Sequence, residues 1–546
     1  MDTQRLILFV VFSFSLLMLW EAWQKEMRPA LPAGAATTQA VVPTPSALGE
    51  APQAKSASAP PGAAQGEAGP RESLKVSTDF LRADIDTRGG DISYLELLQQ
   101  KDSGDGTKNI VLFGPEHRYA AQSGLIGTGL PNHRTPFHAQ AKEFNLAPGQ
   151  DKIEVRLEAS GPQGVKVAKI LTFHRGSYRI DLAEEIVNGT SAPLAADAYF
   201  QLTRDGRSAG GDPYMTQTYT GSAVYTERDK FQKVTFDDIA KGKVAYPKTA
   251  DNGWIAMIQH YFVTALLPAE KLQREFYTRK LDGDLYSIGV IVPAGQVAPG
   301  ATARIEVPLY AGPQDQDHLK SVAPGLQLVV DYGWLTVIAA PLFWVLKLFH
   351  GWMGNWGLAI ILLTVVIKLI FFPLSAASYK SMAKMKLVSP RLMKLREQYG
   401  DDKVKMNQAM MDLYKTEKIN PLGGCLPIVV QIPVFISLYW VLFESVELRH
   451  APFYLWIKDL SAPDPWYVLP TLMMASMILQ TKMNPTPPDP VQAKVMMIMP
   501  LVFGVMFYFF PSGLVLYWLV NNILSIAQQW QITRMMGGDK KDRTGR

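Results

Sequence analysis

Hydrophobic positions fall along this chain in three regimes. Residues 6–20, LILFVVFSFSLLMLW, form an unbroken apolar run directly after Arg5. The run is short for a full membrane span and has the length of a signal-peptide core. The nearest small-residue site suited to cleavage, around Ala33 and Ala35, lies too far downstream. Residues 1–28 therefore read as an uncleaved signal-anchor transmembrane helix. Residues 29–71 are rich in Ala, Pro, Gly, Ser and Gln and hold no aromatic side chain. Such a segment buries too little surface to order itself, which predicts a flexible tether.

From about 72 to 325 the pattern alternates with a period of two. The runs KIEVRLEAS (152–160), VAKILTFHRGSYRIDLAEEIV (167–187) and ARIEVPLYAGP (303–313) are separated by Gly, Asn and Asp. Alternation of this kind predicts a large antiparallel β-sandwich. The segment shows no HExxH, no GxSxG and no phosphate-binding loop, so it reads as a structural or docking domain.

Beyond residue 326 the apolar runs lengthen. The stretch 328–355, LVVDYGWLTVIAAPLFWVLKLFHGWMGN, has the hydropathy of a span, but loop charge argues for another placement. The polar segment 377–420 carries ten basic residues (Lys380, Lys384, Lys386, Arg391, Lys394, Arg396, Lys403, Lys405, Lys415 and Lys418) against five acidic ones. Loops so biased stay cytoplasmic. With the N-terminus inside and the β-domain outside, one crossing remains between them, and 355–376 supplies it. The segment 326–354 then predicts an amphipathic helix lying in the outer interface, with Asp331, Lys347 and His350 towards water.

The basic segment reads as a helical hairpin, about 377–398 and 402–418, with Gly400 ending the first helix and Asp401 and Asp402 opening the second. Further spans are expected at about 422–444, 466–482, 494–510 and 513–532, within 421–534. The tail 535–546 ends in DKKDRTGR, four basic residues against two acidic, and reads as cytoplasmic. The fold class is thus a membrane α-helical bundle of six transmembrane helices plus a large periplasmic β-sandwich. Both termini are cytoplasmic.

Composition adds three exclusions. The net charge of +5 on 546 residues gives no ground for sequence-specific nucleic-acid binding. Cys425 is the only cysteine, so no intrachain disulfide or cysteine-based metal site can form. No metal, cofactor or covalent catalysis is implied, and the chain reads as a non-enzyme.

One residue breaks the apolar pattern at a cost. Lys368 sits inside LAIILLTVVIKLIFFPL, where an intramembrane charge costs about 2.5–3.5 kcal/mol on insertion scales. Snorkelling to the cytoplasmic surface is the bland explanation. Other spans offer it polar company: Thr364 one turn earlier, Gln431 between Pro427 and Pro433, and a stripe of Tyr517, Asn521, Ser525 and Gln528 in the last span, widened by Asn522 and Gln529. Stripes of this kind also serve simply to join helices. No Asp or Glu occurs in the core of any expected span. Taken together the pattern predicts a positive hydrophilic groove that attracts negative charge from a partner. Fourteen of the 22 methionines lie in the hairpin or between 473 and 506, Met382, Met385, Met406 and Met410 among them. Flexible thioethers suit a surface that accepts many apolar shapes.

Specific motifs follow in order: NWG (355–357), GDDK (400–403), LYKTEKINPLGGC (413–425), QIPVFISLYW (431–440), SVELRHAPFYLWIKDLSAPDP (445–465) and FPSGLVLYW (510–518). Over about 327–534 the chain closely resembles the Gram-negative branch of the YidC/Oxa/Alb membrane insertase family. The resemblance implies five helices around a groove open to the cytoplasm and lipid and closed to the periplasm. It implies a positive residue in that groove, where Lys368 stands instead of the usual arginine. It places Thr364 and Gln431 at groove positions, and Tyr517 and Trp518 where the family often has two tyrosines. The implied partners are nascent membrane proteins, the Sec translocon (SecYEG, SecDF), the ribosome and signal-recognition components, and the lipid bilayer of the inner membrane. The competing readings are a small-anion secondary transporter using Lys368, which should carry inverted repeats, and a helper chaperone for another translocon.

Overall fold

A computed structural model of the chain describes residues 72–102, 105–208, 218–399, 402–417, 426–484 and 490–543. The expected anchor and tether lie outside these residues, as do Gly400, Asp401 and Cys425. The described residues fall into two compact units that divide at Val330 and Asp331.

The first unit is β-rich. Nineteen strands among the described residues, from β1 (Ser73–Ser77) to β19 (Thr302–Pro313), form a ten-stranded and a nine-stranded sheet. Pairing is antiparallel throughout except where β1 meets β7 (Glu143–Asn145) in parallel. The alternating runs become β8 (Lys152–Ser160), β9 (Lys166–His174), β10 (Arg179–Val187) and β19, with β10 paired to β9 on one side and β19 on the other. In the inward phase stand Val167, Leu171 and Phe173 on β9 and Ile180, Leu182 and Ile186 on β10, all buried. Two short helices complete the unit: α1 (Phe236–Lys241), capped by Thr235, and α2 (Gln316–Val322), capped by Asp315.

Charge also occupies that inward phase. Lys169 and Glu184 face each other in register across β9 and β10, with Nζ and Oε1 3.5 Å apart and both side chains buried. Lys169 Nζ also donates to the carbonyls of Gly89, in a turn, and Ser123, in the other sheet, at 2.6 and 2.5 Å. Ser123 donates to Glu184 Oε1 at 2.7 Å. From Asp91 a chain of bonds crosses the first sheet. Gln122 donates to Asp91, Gln201 to Gln122, and Tyr277 and Ser287 to Gln201, all at 2.7–2.9 Å. Burial pushes the Asp91 carboxyl up to about 7, against the opposing pull of Lys169. Glu184 is raised by the same desolvation. These groups went unnoticed in the sequence because charge normally marks the solvent face of a strand.

The second unit is helical: α3 (Thr336–Met353), α4 (Trp356–Ile370), α5 (Phe372–Tyr399), α6 (Lys403–Thr416), α7 (Leu426–Glu444), α8 (Val468–Met483), α9 (Pro490–Met506) and α10 (Ser512–Arg543). The last is central and packs on α4, α5, α7 and α8. Among the described residues, α3 alone suffices by length and apolarity to cross a bilayer, while α4 and Phe372–Val388 of α5 suffice only as a pair bent by 67°. The sequence placed the end of that span at 376; the chain turns six residues earlier. Pro373 accounts for the position, since it fits the first turn of a new helix but cannot continue an old one.

α4 starts at a cap. The Asn355 side chain accepts from Leu358 N at 3.1 Å and donates to the Pro452 and Phe453 carbonyls at 3.2 Å. The loop 445–467 is tied in turn to the start of α10. Ser512 N donates to the Ala462 carbonyl at 2.8 Å and Gly513 N to that of Leu460 at 2.9 Å. Within the loop, buried Asp464 accepts from Trp456 Nε1, Trp466 N and Leu469 N at 2.7–3.0 Å.

Candidate functional site

Polar side chains converge where α4, α7 and α10 meet. Lys368, in the last turn of α4, is only 7% exposed. Its ammonium donates to Ser525 Oγ of α10 at 2.7 Å, and no carboxylate pairs with it among the described residues. The snorkelling explanation therefore does not describe this lysine, whose tip is held inside the bundle. Ser525 Oγ in turn donates to the Asn521 carbonyl at 2.7 Å. On the opposite wall Gln431 Nε2 donates to Asn521 Oδ1 at 2.5 Å.

Thr364 shares the face of Lys368 and is 1% exposed, but its hydroxyl donates to the Ile360 carbonyl at 2.7 Å. A threonine in a helix commonly bonds back in this way, which leaves its oxygen as an acceptor only. Tyr517 is buried, lies 6.3 Å from Phe435 ring to ring, and its hydroxyl has no partner among the described residues. Trp518 sets its edge against Phe435 at 4.2 Å and lies 5.1 Å from Phe507. It thus fills the second aromatic position by packing. Gln528 Oε1 is buried without a partner among the described residues.

The expected stripe on α10 divides in two. Asn522 was expected in the same groove as Asn521, but its amide turns to α8, reaching Ser476 Oγ at 3.2 Å and Met473 Sδ at 3.4 Å. Gln529 likewise bonds Asn484 at 3.0 Å. Successive helical residues diverge by about 100°, so neighbours in sequence serve different walls. One residue absent from the expectation joins the site, and a second braces a loop away from it. Tyr379 on α5 directs its hydroxyl at Ser525, and Asp464 braces the loop above α8. Tyr379 could have been suspected as a lone phenol within reach of the bend; Asp464 in a polar loop gave no signal.

In the hairpin, Met385 and Met410 pack with Leu413 and Tyr414 on Val388 and Leu392, forming the seam between α5 and α6. Met382 and Met406 are half-buried. The apolar side chains left open are Leu387, Met393, Val404 and Met411. Arg391 and Glu417 close one end at 2.7 Å. Asp402 caps α6 as expected, accepting from Lys405 N at 3.1 Å.

An apolar helical unit with a buried ammonium, uncountered among the described residues and joined in sequence to a β-sandwich, defines a membrane-embedded protein with a polar interior. Its first half matches the family model described as YidC periplasmic domain over residues 73–345, and its second the model described as 60Kd inner membrane protein over 348–540. It is 58% identical to a membrane protein insertase YidC of Dechloromonas aromatica, over 99% of each chain. It is 59% identical to the protein of the same name from Aromatoleum aromaticum, also over 99% of each. A crystal structure of an active YidC insertase with its first transmembrane domain resolved is 19% identical and covers 84% of this chain and 92% of that one. Its TM-score of 0.39 is too low to bear on the fold. The chain belongs to the YidC/Oxa/Alb family of membrane protein insertases, a non-enzymatic family of the inner membrane. These relatives lend no support to the small-anion transporter.

Proposed function

We propose that this protein integrates nascent hydrophobic segments into the inner membrane through a groove lined by Lys368, Thr364, Gln431, Tyr517, Trp518, Asn521, Ser525 and Gln528. The observation that carries this reading is the buried Lys368 ammonium, bonded to a neutral hydroxyl and uncountered by any carboxylate among the described residues. A charge kept at this cost without an internal counter-ion is available to a visiting one. The α4, α7, α8, α9 and α10 helices form the insertase core. The N-terminal anchor supplies a sixth span, α3 lies in the outer interface, and the β-unit is periplasmic.

A nascent segment meets the hairpin first, on the open side chains of Leu387, Met393, Val404 and Met411, with Met382 and Met406 beside them. Its polar flank then enters the groove, where Lys368 draws acidic residues inward. The apolar part partitions into lipid along the helices that border the groove. Hydrophobic transfer and the membrane potential acting on acidic flanks drive the step. The substrates are nascent membrane proteins, delivered by the ribosome and signal-recognition components or shared with the Sec translocon.

The test is replacement of Lys368 in cells depleted of the native protein. Lys368→Ala is expected to lose insertion of single-span substrates with acidic flanks, and Lys368→Arg to retain it. Wild-type insertion by Lys368→Ala would refute the charge-attraction account.

A further inference from the structure

Ser525 joins α4 and α10 through one oxygen. Its Oγ donates to the Asn521 carbonyl within α10 and accepts from Lys368 Nζ of α4, each at 2.7 Å. The Tyr379 hydroxyl of α5 is directed at the same atom. A serine hydroxyl offers one donor and two acceptor sites, so the bonds to Asn521 and Lys368 use its proton and one lone pair. The bond to its own helix fixes the rotamer and turns a lone pair outward to α4. Thr364, Gln431 and Asn521 are engaged elsewhere: Thr364 donates to Ile360, and Gln431 and Asn521 bond to each other.

We propose that Ser525 is the positioning residue for Lys368. It holds the ammonium against α10 while the groove is empty and releases it to a carboxylate brought in by the substrate. The chemistry favours that exchange, because an ammonium binds a carboxylate more strongly than a neutral hydroxyl. A carboxylate at position 525 would instead lock the charge in an internal pair. This inference rests on the insertase reading above and adds to it what sets the place of the charge.

The experiment uses the full-length protein in liposomes and two single-span substrates that differ only in carrying Asp or Asn in the flank. Ser525→Ala and Ser525→Thr are compared in the wild-type and Lys368→Ala backgrounds, and the readout is the ratio of acidic-flank to neutral-flank insertion. Ser525→Ala should lower that ratio about tenfold, the scale of one charge-assisted hydrogen bond. Ser525→Thr, which keeps the hydroxyl, should restore most of it. With Lys368→Ala already present, Ser525→Ala should change the ratio no further. Equal losses on both substrates would reduce Ser525 to a packing role and overturn the proposal, as would an undiminished drop in the ratio without Lys368. If wild type already inserts both substrates equally, the reading of Lys368 itself fails. A wild-type preference that Ser525→Ala leaves intact overturns the positioning role alone.

Discussion

Gln431 of α7 and Asn521 of α10 meet amide to amide, with Gln431 Nε2 donating to Asn521 Oδ1 at 2.5 Å. The bond ties the two walls beside Lys368 at mid-height. Interhelical hydrogen bonds in membranes average about 0.6 kcal/mol and reach about 1.7. A double-mutant cycle of Gln431→Leu and Asn521→Leu, read by thermal stability in detergent, is expected to give a coupling in that range. Strict additivity would show that the two helices hold their spacing without it.

Gly357, in the first turn of α4, lies under the ring of Phe453. A Cβ there would sit 2.1 Å from a ring carbon. Gly357→Ala should therefore destabilise the bundle by about 1–3 kcal/mol, the usual cost of overpacking. Adding Phe453→Ala should recover part of the loss. A melting temperature equal to wild type for Gly357→Ala would mean that the loop moves aside freely.

Acidity should stabilise the β-unit. Folding raises the Asp91 carboxyl to about 7. Between its ordinary range and that value, the folded chain keeps a proton that the unfolded chain gives up. Stability therefore falls as pH rises through this window and levels off above about 7. Heating the full-length protein at pH 5 and at pH 7.5, with proteolysis reporting on the β-unit, should give a lower midpoint at the higher pH. Asp91→Asn should flatten the difference, leaving what Glu184 contributes in the same direction. Equal slopes in both proteins would remove Asp91 as the cause.

The hairpin separates stability from contact. Leu392→Ala empties the seam shared with Met385 and Met410 and should loosen α5 and α6, at a cost of about 2 kcal/mol or more. Faster amide exchange confined to those helices would report it. Met393→Ser together with Met411→Ser alters side chains that are each 51% exposed. This pair should leave exchange unchanged and lower crosslinking to ribosome-bound nascent chains. Unaltered crosslinking would move the docking surface elsewhere.

Much of the architecture could be read from periodicity. The run 152–160 is β8 residue for residue, and the buried position of Lys368 followed from the apolar helix around it. The parallel β1–β7 pair could not be read, because it joins segments distant in sequence. The split between Asn521 and Asn522 was lost when a single stripe was drawn, although helical geometry already sends adjacent residues to different neighbours. Lys169 and Glu184 were legible in principle. Both occupy the inward phase of their strands, and an inward charge in an alternating pattern signals an internal pair.

The clasp between the 445–467 loop and the first residues of α10 has an energetic consequence for the whole cell. In the proposed orientation it would stopper the outer end of the proposed polar interior. Two backbone bonds and the Asp464 brace then stand between that interior and the proton gradient. A polar pocket can be kept half-way into the bilayer without short-circuiting respiration, so long as the stopper holds while each chain slips sideways into lipid.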